Sequence, residues 1–143
     1  MILKSIDLDS FRLHKKTSLN FSDKLNYIIG GNGQGKTTIL EAIYYLCTTR
    51  SLNQTHDADA VRFGEKDFKI AGLFQDLTNN FIKLNYSLET NKKTFVLDNK
   101  PIHKSTKIIG KFPVVTLTQS DHSITLGSPA DRRKFVDSVI SQA

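Results

Sequence analysis

The chain has 143 residues, the length of one ordinary domain, and its 38% hydrophobic and 24% charged residues exclude a disordered tail. Its formal net charge of +6 favours an anionic partner such as a nucleotide or a nucleic acid. Its single cysteine, Cys47, excludes an intrachain disulfide and a cysteine-based zinc site. The sequence has neither a signal-peptide apolar region nor a run of roughly 18 apolar residues, so we expect a cytoplasmic protein without a membrane partner.

The first third of the sequence predicts three strands and then a helix. Residues 2–8 alternate between apolar and polar positions, which predicts a strand with one wet face, and residues 17–21 predict its partner. The compact apolar run of residues 25–29 is typical of a buried strand of the parallel type. A glycine-rich loop follows, and after it an apolar stripe predicts a helix that ends near residues 48–51. The stripe consists of Leu40, Ile43, Tyr44 and Cys47, broadened by Ile39, Ala42 and Leu46.

The middle of the sequence predicts a small antiparallel meander. Residues 67–75, 80–88 and 93–97 alternate or are rich in β-branched and aromatic side chains, and polar turn residues separate them. Residues 113–117 predict a further short, buried strand.

The last predicted element is a helix that begins at Ser128. Ser128 suits the N-cap, Pro129 the first turn and Asp131 the third helical position. The helical pattern is still running at Ala143, with neither a glycine cap nor a turn. We therefore expect the polypeptide to be part of a longer one.

The segment from Gly30 to Thr37 reads GGNGQGKT and fits the phosphate-loop (Walker A) pattern G-x-x-x-x-G-K-[ST]. Its glycines allow the backbone to turn several N–H groups inward around a phosphate. Lys36 supplies a cation for the outer phosphates, and Thr37 offers a hydroxyl to Mg²⁺. The following helix points the positive end of its dipole at the same place. The sequence therefore predicts a site for a nucleoside triphosphate, ATP with Mg²⁺ before others.

Other candidate sites are weaker. The histidines are scattered without metal-ligand spacing, and Asp57 and Asp59 lie in a polar loop where solvated charge is the simpler interpretation. Three short basic clusters are each able to touch a nucleic-acid backbone, although ordinary surface charge is the favoured interpretation of each one. The histidines are His14, His56, His103 and His122, and the clusters are Lys15-Lys16, Lys92-Lys93 and Arg132-Arg133-Lys134.

Four stretches of the chain resemble the N-terminal part of the RecF family, the bacterial DNA replication and repair ATPases of the ABC/SMC class. They are residues 6–12 (IDLDSFR), 25–51 (with GNGQGKT, LEAIYYL and RS), 57–64 (DADAVRFG) and 127–142 (GSPADRRKFVDSVISQ). Together they span nearly the whole chain, whereas residues 75–105 are unspecific.

The resemblance implies a set of site residues. Arg12 would lie beside the phosphates, and Thr37 and Gln119 would bind Mg²⁺. RecF sequences often have proline at the position of Gln119, so Asp121 is an alternative polar candidate. The nucleotide loop would comprise Gly30, Gly31, Asn32, Gly33, Gln34, Gly35, Lys36, Thr37 and Thr38.

The resemblance also implies a fold and a function. The fold would be α/β, a P-loop NTPase of the ABC-type ATPase head, with a mixed sheet and an antiparallel β-meander. Residues 1–143 would form lobe I and the start of the helical lobe II. The function would be ATP-dependent DNA binding in DNA repair, replication and the SOS response. ATP would drive formation of a homodimer of heads, which would help RecO and RecR place recombinase on single-stranded DNA or gapped duplex.

Hydrolysis by this family needs parts that the 143 residues lack. No apolar run ends in Asp-Glu or Asp-Asp, as a Walker B motif would, and the signature motif comes from a second subunit. We therefore expect this chain alone not to hydrolyse ATP. An ABC-type ATPase coupled to a nuclease or defence effector, as in OLD-like proteins, is an alternative that sequence beyond residue 143 would decide. A small-molecule P-loop kinase fits less well, because a β-meander follows the first helix.

Overall fold

The computed structural model describes residues 1–53, 55–118 and 126–140. The strands are β1 (Ile2–Phe11), β2 (His14–Asn20), β3 (Asp67–Gln75), β4 (Asn79–Ser87), β5 (Lys92–Leu97) and β6 (Lys100–Ile102). They form one sheet in the order β2-β1-β3-β4-β5-β6, and every neighbouring pair is antiparallel. The helices are α1 (Lys36–Thr48) and α2 (Pro129–Ile140), with short 3-10 turns at Asp57–Ala60 and Ser105–Lys107.

The meander that the sequence predicted is confirmed. Strands β3, β4 and β5 begin and end within one residue of the predicted bounds. Alternation sends one set of side chains into the core, including Ile70, Ile82 and Leu84, which have no exposed surface. The predicted turn after β5 is a tight hairpin in which Asp98 and Asn99 have positive φ, and it adds the short strand β6.

Helix α1 packs on the inner face of β3 and β4, but its buried side differs from the predicted stripe. Leu40 is 51% exposed, whereas Tyr45 is fully buried and Glu41 is 3% exposed. Glu41 is tolerated on the buried side because it forms an ion pair with Arg12. Cys47 is buried as predicted, and its burial raises the thiol pKa to about 12, so it packs as a small hydrophobic residue.

Two predicted strands are wrong. Residues 25–29 and 113–117 run without strand pairing, and Tyr27, Ile29 and Leu117 are 78%, 90% and 90% exposed. Their apolar composition is typical of buried strands, but a strand also needs a hydrogen-bonding neighbour. Among the described strands, none lies beside either segment.

Helix α2 begins where the sequence predicted. The carboxylate of Asp131 accepts hydrogen bonds from the backbone N–H and the hydroxyl of Ser128, at 2.9 and 2.8 Å. These bonds lower the pKa of Asp131. The apolar residues Val136, Val139 and Ile140 are 51%, 47% and 65% exposed. Assignment of this helix to a second lobe stays a prediction. Neither α1 nor α2, nor any other helix among the described residues, has the length and hydropathy of a membrane span.

A buried ion pair joins the β1–β2 turn to α1. Arg12 lies in that turn, and its guanidinium donates to both carboxylate oxygens of Glu41, at 2.6 and 2.7 Å. The side chains of Arg12 and Glu41 are 23% and 4% exposed. The hydroxyl of Ser51 donates to the same carboxylate at 3.0 Å, and Arg12 donates to the hydroxyl of Thr55 at 3.0 Å. Four side chains thus fix α1 and the loop after it to the hairpin.

A second polar cluster holds both ends of that loop. The ammonium of Lys93 on β5 lies 2.9 Å from the carboxylate of Asp57 and donates to the backbone carbonyl of Thr49 at 3.0 Å. It also stands over the ring of Tyr45, whose hydroxyl donates to Asp57. The polar segment that follows α1 is therefore anchored at both ends.

Replacement of Gly72 tests the packing of α1 on β3. We expect Gly72→Ala to lower the free energy of unfolding by about 1–3 kcal/mol, because the added methyl group overpacks the core. An ideal Cβ at Gly72 lies 2.8 Å from Cδ1 of the buried Leu46. In a Leu46→Ala background the same change should be neutral or stabilise by about 0.5–1 kcal/mol, because glycine is entropically costly within a strand. Chemical denaturation of the four proteins measures this, and an equal loss in both backgrounds would contradict the contact.

Replacement of Arg12 tests the buried ion pair. We expect Arg12→Met to lower the free energy of unfolding by about 3 kcal/mol, because the buried carboxylate of Glu41 loses its charged partner. The double change Arg12→Met with Glu41→Met should recover most of that loss. The control is Lys4→Met, which removes the more exposed ion pair with Asp23 and should cost less than about 1 kcal/mol. Similar losses for Arg12→Met and Lys4→Met in urea would show that the pair at Glu41 is not buried.

Candidate nucleotide site

The glycine-rich segment forms an open loop that leads directly into α1. Gly33 and Gly35 have φ angles of 76° and 83°, in the left-handed region that a side chain disfavours. Gly35 is the N-cap residue of α1. Glycine has no side chain that could cap the helix. No N-cap side chain therefore accepts hydrogen bonds from the first N–H groups of α1. The loop is therefore shaped to receive an anion at the positive end of the helix.

The side chain of Lys36 folds back over the loop. Its ammonium donates to the carbonyl oxygens of Gly30 and Gly31, at 2.8 and 2.6 Å. The side-chain oxygen of Gln34 accepts the N–H of Gly31 at 2.9 Å. A Cβ at Gly30 would lie 2.6 Å from that same oxygen, so the loop closes tightly around Gln34. The Lys36 ammonium, which the sequence predicts to bind the phosphates, thus lies against the backbone at the start of the loop.

The remaining predicted residues of the loop differ in exposure. Asn32 and Thr37 are exposed, and Thr37 lies in the first turn of α1 with a hydroxyl suited to Mg²⁺. Thr38 is 9% exposed and faces the core. Gln119 and its alternative Asp121 lie outside the described residues. The described ranges contain no cluster of three His, Cys, Asp or Glu side chains that could hold a metal ion.

The guanidinium of Arg12 is occupied by partners within the protein. Its guanidinium is engaged by Glu41 and Thr55, with a longer contact to the backbone oxygen of Asp59 at 3.4 Å. Its predicted contact with phosphates stays a prediction. The sequence does not predict the pairing of Arg12 with Glu41. Glu41 lies outside the predicted apolar stripe of the helix, where an exposed carboxylate is the ordinary expectation.

His14 is a further residue at the loop that the sequence did not single out. Its Nε2 lies 3.1 Å from the carbonyl oxygen of Gly35, and its Nδ1 lies 2.9 Å from the hydroxyl of Thr17. The signal was its place directly after the β1–β2 turn, opposite Phe11 in the register. A metal-spacing search discards such a histidine because its partner is a backbone atom.

Comparison with known proteins agrees with this geometry. Residues 1–136 match the family described as AAA ATPase domain. The DNA replication and repair protein RecF of Cytophaga hutchinsonii is 38% identical over 143 residues, which cover 100% of this chain and 38% of that protein. RecF of Chloroherpeton thalassium is 38% identical over 144 residues, with 99% and 39% covered. The chain thus spans 38–39% of the length of these relatives.

Solved structures give the same result. The recombination mediator protein RecF-ATPrS in the RecFOR pathway superposes with a TM-score of 0.90 at 33% identity, over 98% of this chain and 38% of that one. The SMC head domain from Thermotoga maritima superposes with a TM-score of 0.64 at 22% identity, over 76% and 41%, and supports the fold alone. The predicted α/β ABC-type head and the resemblance to the N-terminal part of RecF are therefore confirmed. With a family match over residues 1–136, the chain belongs to the AAA ATPase domain family.

Proposed function

We propose that the loop from Gly30 to Thr38 binds ATP with Mg²⁺, as the nucleotide site of a DNA replication and repair protein. The observation that carries the proposal is the position of Lys36, whose ammonium is held by two loop carbonyl oxygens in front of the N-terminus of α1. The names of the relatives support the choice of ATP, because one of the similar structures is of RecF-ATP.

The residues of the loop divide the work of binding. The backbone N–H groups at the start of α1 donate to phosphate oxygens, and the helix dipole adds to the attraction. Lys36 leaves its carbonyl partners for the more strongly attracting phosphate oxygens. Thr37 contributes a hydroxyl to Mg²⁺, which neutralises phosphate charge when bound. Gln119 would complete the magnesium ligands from this chain.

In the longer protein, ATP would act as a switch for assembly. ATP would join two heads into a homodimer that binds DNA and, with RecO and RecR, helps load recombinase on single-stranded or gapped DNA. The supports are the names of the relatives and the net charge of +6, which suits a polyanion. The exposed basic cluster Arg132-Arg133-Lys134 on α2 is one place where this charge lies.

Removal of the Lys36 ammonium tests nucleotide binding. We expect Lys36→Ala to weaken ATP about ten- to a hundredfold, because a charged hydrogen-bonding partner of the phosphates is lost. The measurement is titration of the protein with a fluorescent ATP analogue, followed by competition with unlabelled ATP. The matched control is Lys104→Ala, which removes an exposed lysine outside the loop and should leave the affinity unchanged.

The same proteins test the expectation about hydrolysis. The 143-residue chain should leave bound ATP intact, because it has no acidic pair after an apolar run. Phosphate release that disappears in Lys36→Ala would contradict this expectation. Unchanged ATP affinity in Lys36→Ala would contradict the proposed site itself.

DNA binding is tested in the full-length protein that contains this chain. We expect ATP to increase its affinity for gapped duplex, and Lys36→Ala to remove that increase. The affinity should fall about tenfold or more between about 50 and 200 mM salt, because bound protein releases counterions from the phosphates. Fluorescence anisotropy with gapped, intact and single-stranded DNA measures both effects. Equal affinity with and without ATP would contradict an ATP-driven switch.

A further inference from the structure

The imidazole of His14 is fixed in front of the nucleotide loop by the fold around it. His14 is the first residue of β2 and pairs with Phe11 across the turn, so the register of the hairpin sets its position. The side chain is half-buried. Two hydrogen bonds hold the ring, one to Thr17 on the same strand and one to the backbone of Gly35.

The partners of the ring define which nitrogen carries the proton. A carbonyl oxygen only accepts, so the bond of 3.1 Å to Gly35 requires Nε2–H on His14 as the donor. In an imidazole with its one proton on Nε2, the Nδ1 atom accepts from the hydroxyl of Thr17, which lies 2.9 Å away. The geometry therefore assigns the Nε2–H form of His14.

The contact with Gly35 is steric as well as polar. An ideal Cβ at Gly35 would lie 2.6 Å from Nε2 of His14, so the ring occupies the space beside the loop that a side chain would need. Gly35 has a φ of 83° and begins α1 as its N-cap residue. The ring therefore contacts the loop at the residue where its backbone turns into the helix.

Anchoring the carbonyl of Gly35 also fixes the neighbouring N–H group. The peptide between Gly35 and Lys36 is planar and trans, so its C=O and N–H point in opposite directions. A bond from His14 to that oxygen, with a second from the N–H of Ile39 at 3.3 Å, directs the N–H of Lys36 away from the hairpin. That direction is toward the space in front of the helix, where an anion would bind.

We propose that His14 is a positioning residue of the nucleotide loop, which holds the peptide between Gly35 and Lys36 in the orientation that donates an N–H to phosphate. It acts from the same hairpin as Arg12, and this hairpin fixes α1 at Gly35 and at Glu41. The effect on ATP rests on the proposed nucleotide site, whereas the contact itself is testable without nucleotide.

The first experiment uses nitrogen NMR of the nucleotide-free protein. The imidazole of His14 should be protonated at Nε2 and unprotonated at Nδ1. The substitution His14→Leu, which fills the space without a donor, should shift the amide signals of Gly35 and Lys36, and the exposed His103→Ala should not. An unprotonated Nε2, or unchanged amide signals in His14→Leu, would overturn the proposal.

The second experiment measures ATP affinity of the same variants together with their melting temperatures. We expect His14→Leu to weaken ATP about tenfold, the effect of one lost hydrogen bond in the loop, and His14→Gln to regain most of it because its amide donates to Gly35. A structural role alone would follow the melting temperature and show no rescue by glutamine. Equal affinity of His14→Leu and the unsubstituted protein would overturn the proposal.

The two experiments separate this inference from the proposed function. If the unsubstituted protein does not bind ATP but the imidazole and amide signals behave as expected, the proposed function is wrong and the loop contact stands. If ATP binding depends on Lys36 but not on His14, the nucleotide site stands and the role of His14 is wrong.

Discussion

The buried carboxylate of Glu41 is the constraint on which the arrangement of the site depends. A carboxylate that is 4% exposed is very unfavourable without a partner, and here Arg12 gives it two short hydrogen bonds and Ser51 a third. These partners come from the β1–β2 turn and from the segment after α1. Helix α1 is therefore stable on the sheet only when the hairpin and that segment are in place. The need to satisfy one charge ties α1 and the segment directly after it to a hairpin that precedes the helix in sequence.

The same hairpin explains how a loop rich in glycine keeps a defined shape. Glycines at positive φ, such as Gly33 and Gly35, allow the turn but add backbone freedom that opposes order. Contacts from outside the loop have to offset that freedom, and two come from the hairpin of β1 and β2. Arg12 reaches the second turn of α1, and His14 reaches the residue that begins it. The antiparallel hairpin of β1 and β2 thus stabilises the nucleotide loop through these two contacts.

Local patterns were sufficient for most of the fold, and they identify the candidate loop. Alternation and turn residues located β3 to β5, the glycine pattern located the loop, and Ser128 with Asp131 located the start of α2. Patterns failed where the answer depends on a distant partner. The run 25–29 has the composition of a buried strand, but pairing is decided by neighbours that composition does not contain. The sequence pattern does not predict the burial of Glu41 for the same reason, because only the fold brings Arg12 to it.

Hydrogen bonds within the loop engage the side chains of Lys36 and Gln34. Lys36 donates to two carbonyl oxygens, and Gln34 accepts from Gly31, so neither the cation nor that N–H waits without a partner. At the proposed site a phosphate would replace the hydrogen bonds of Lys36 and would also accept from the first N–H groups of α1, which no side chain caps. The exchange is favourable because a neutral carbonyl acceptor gives way to a charged oxygen, and charge-assisted bonds are roughly twice as strong. The gain would grow with the charge of the ligand, so the proposed site would favour a triphosphate over less charged anions.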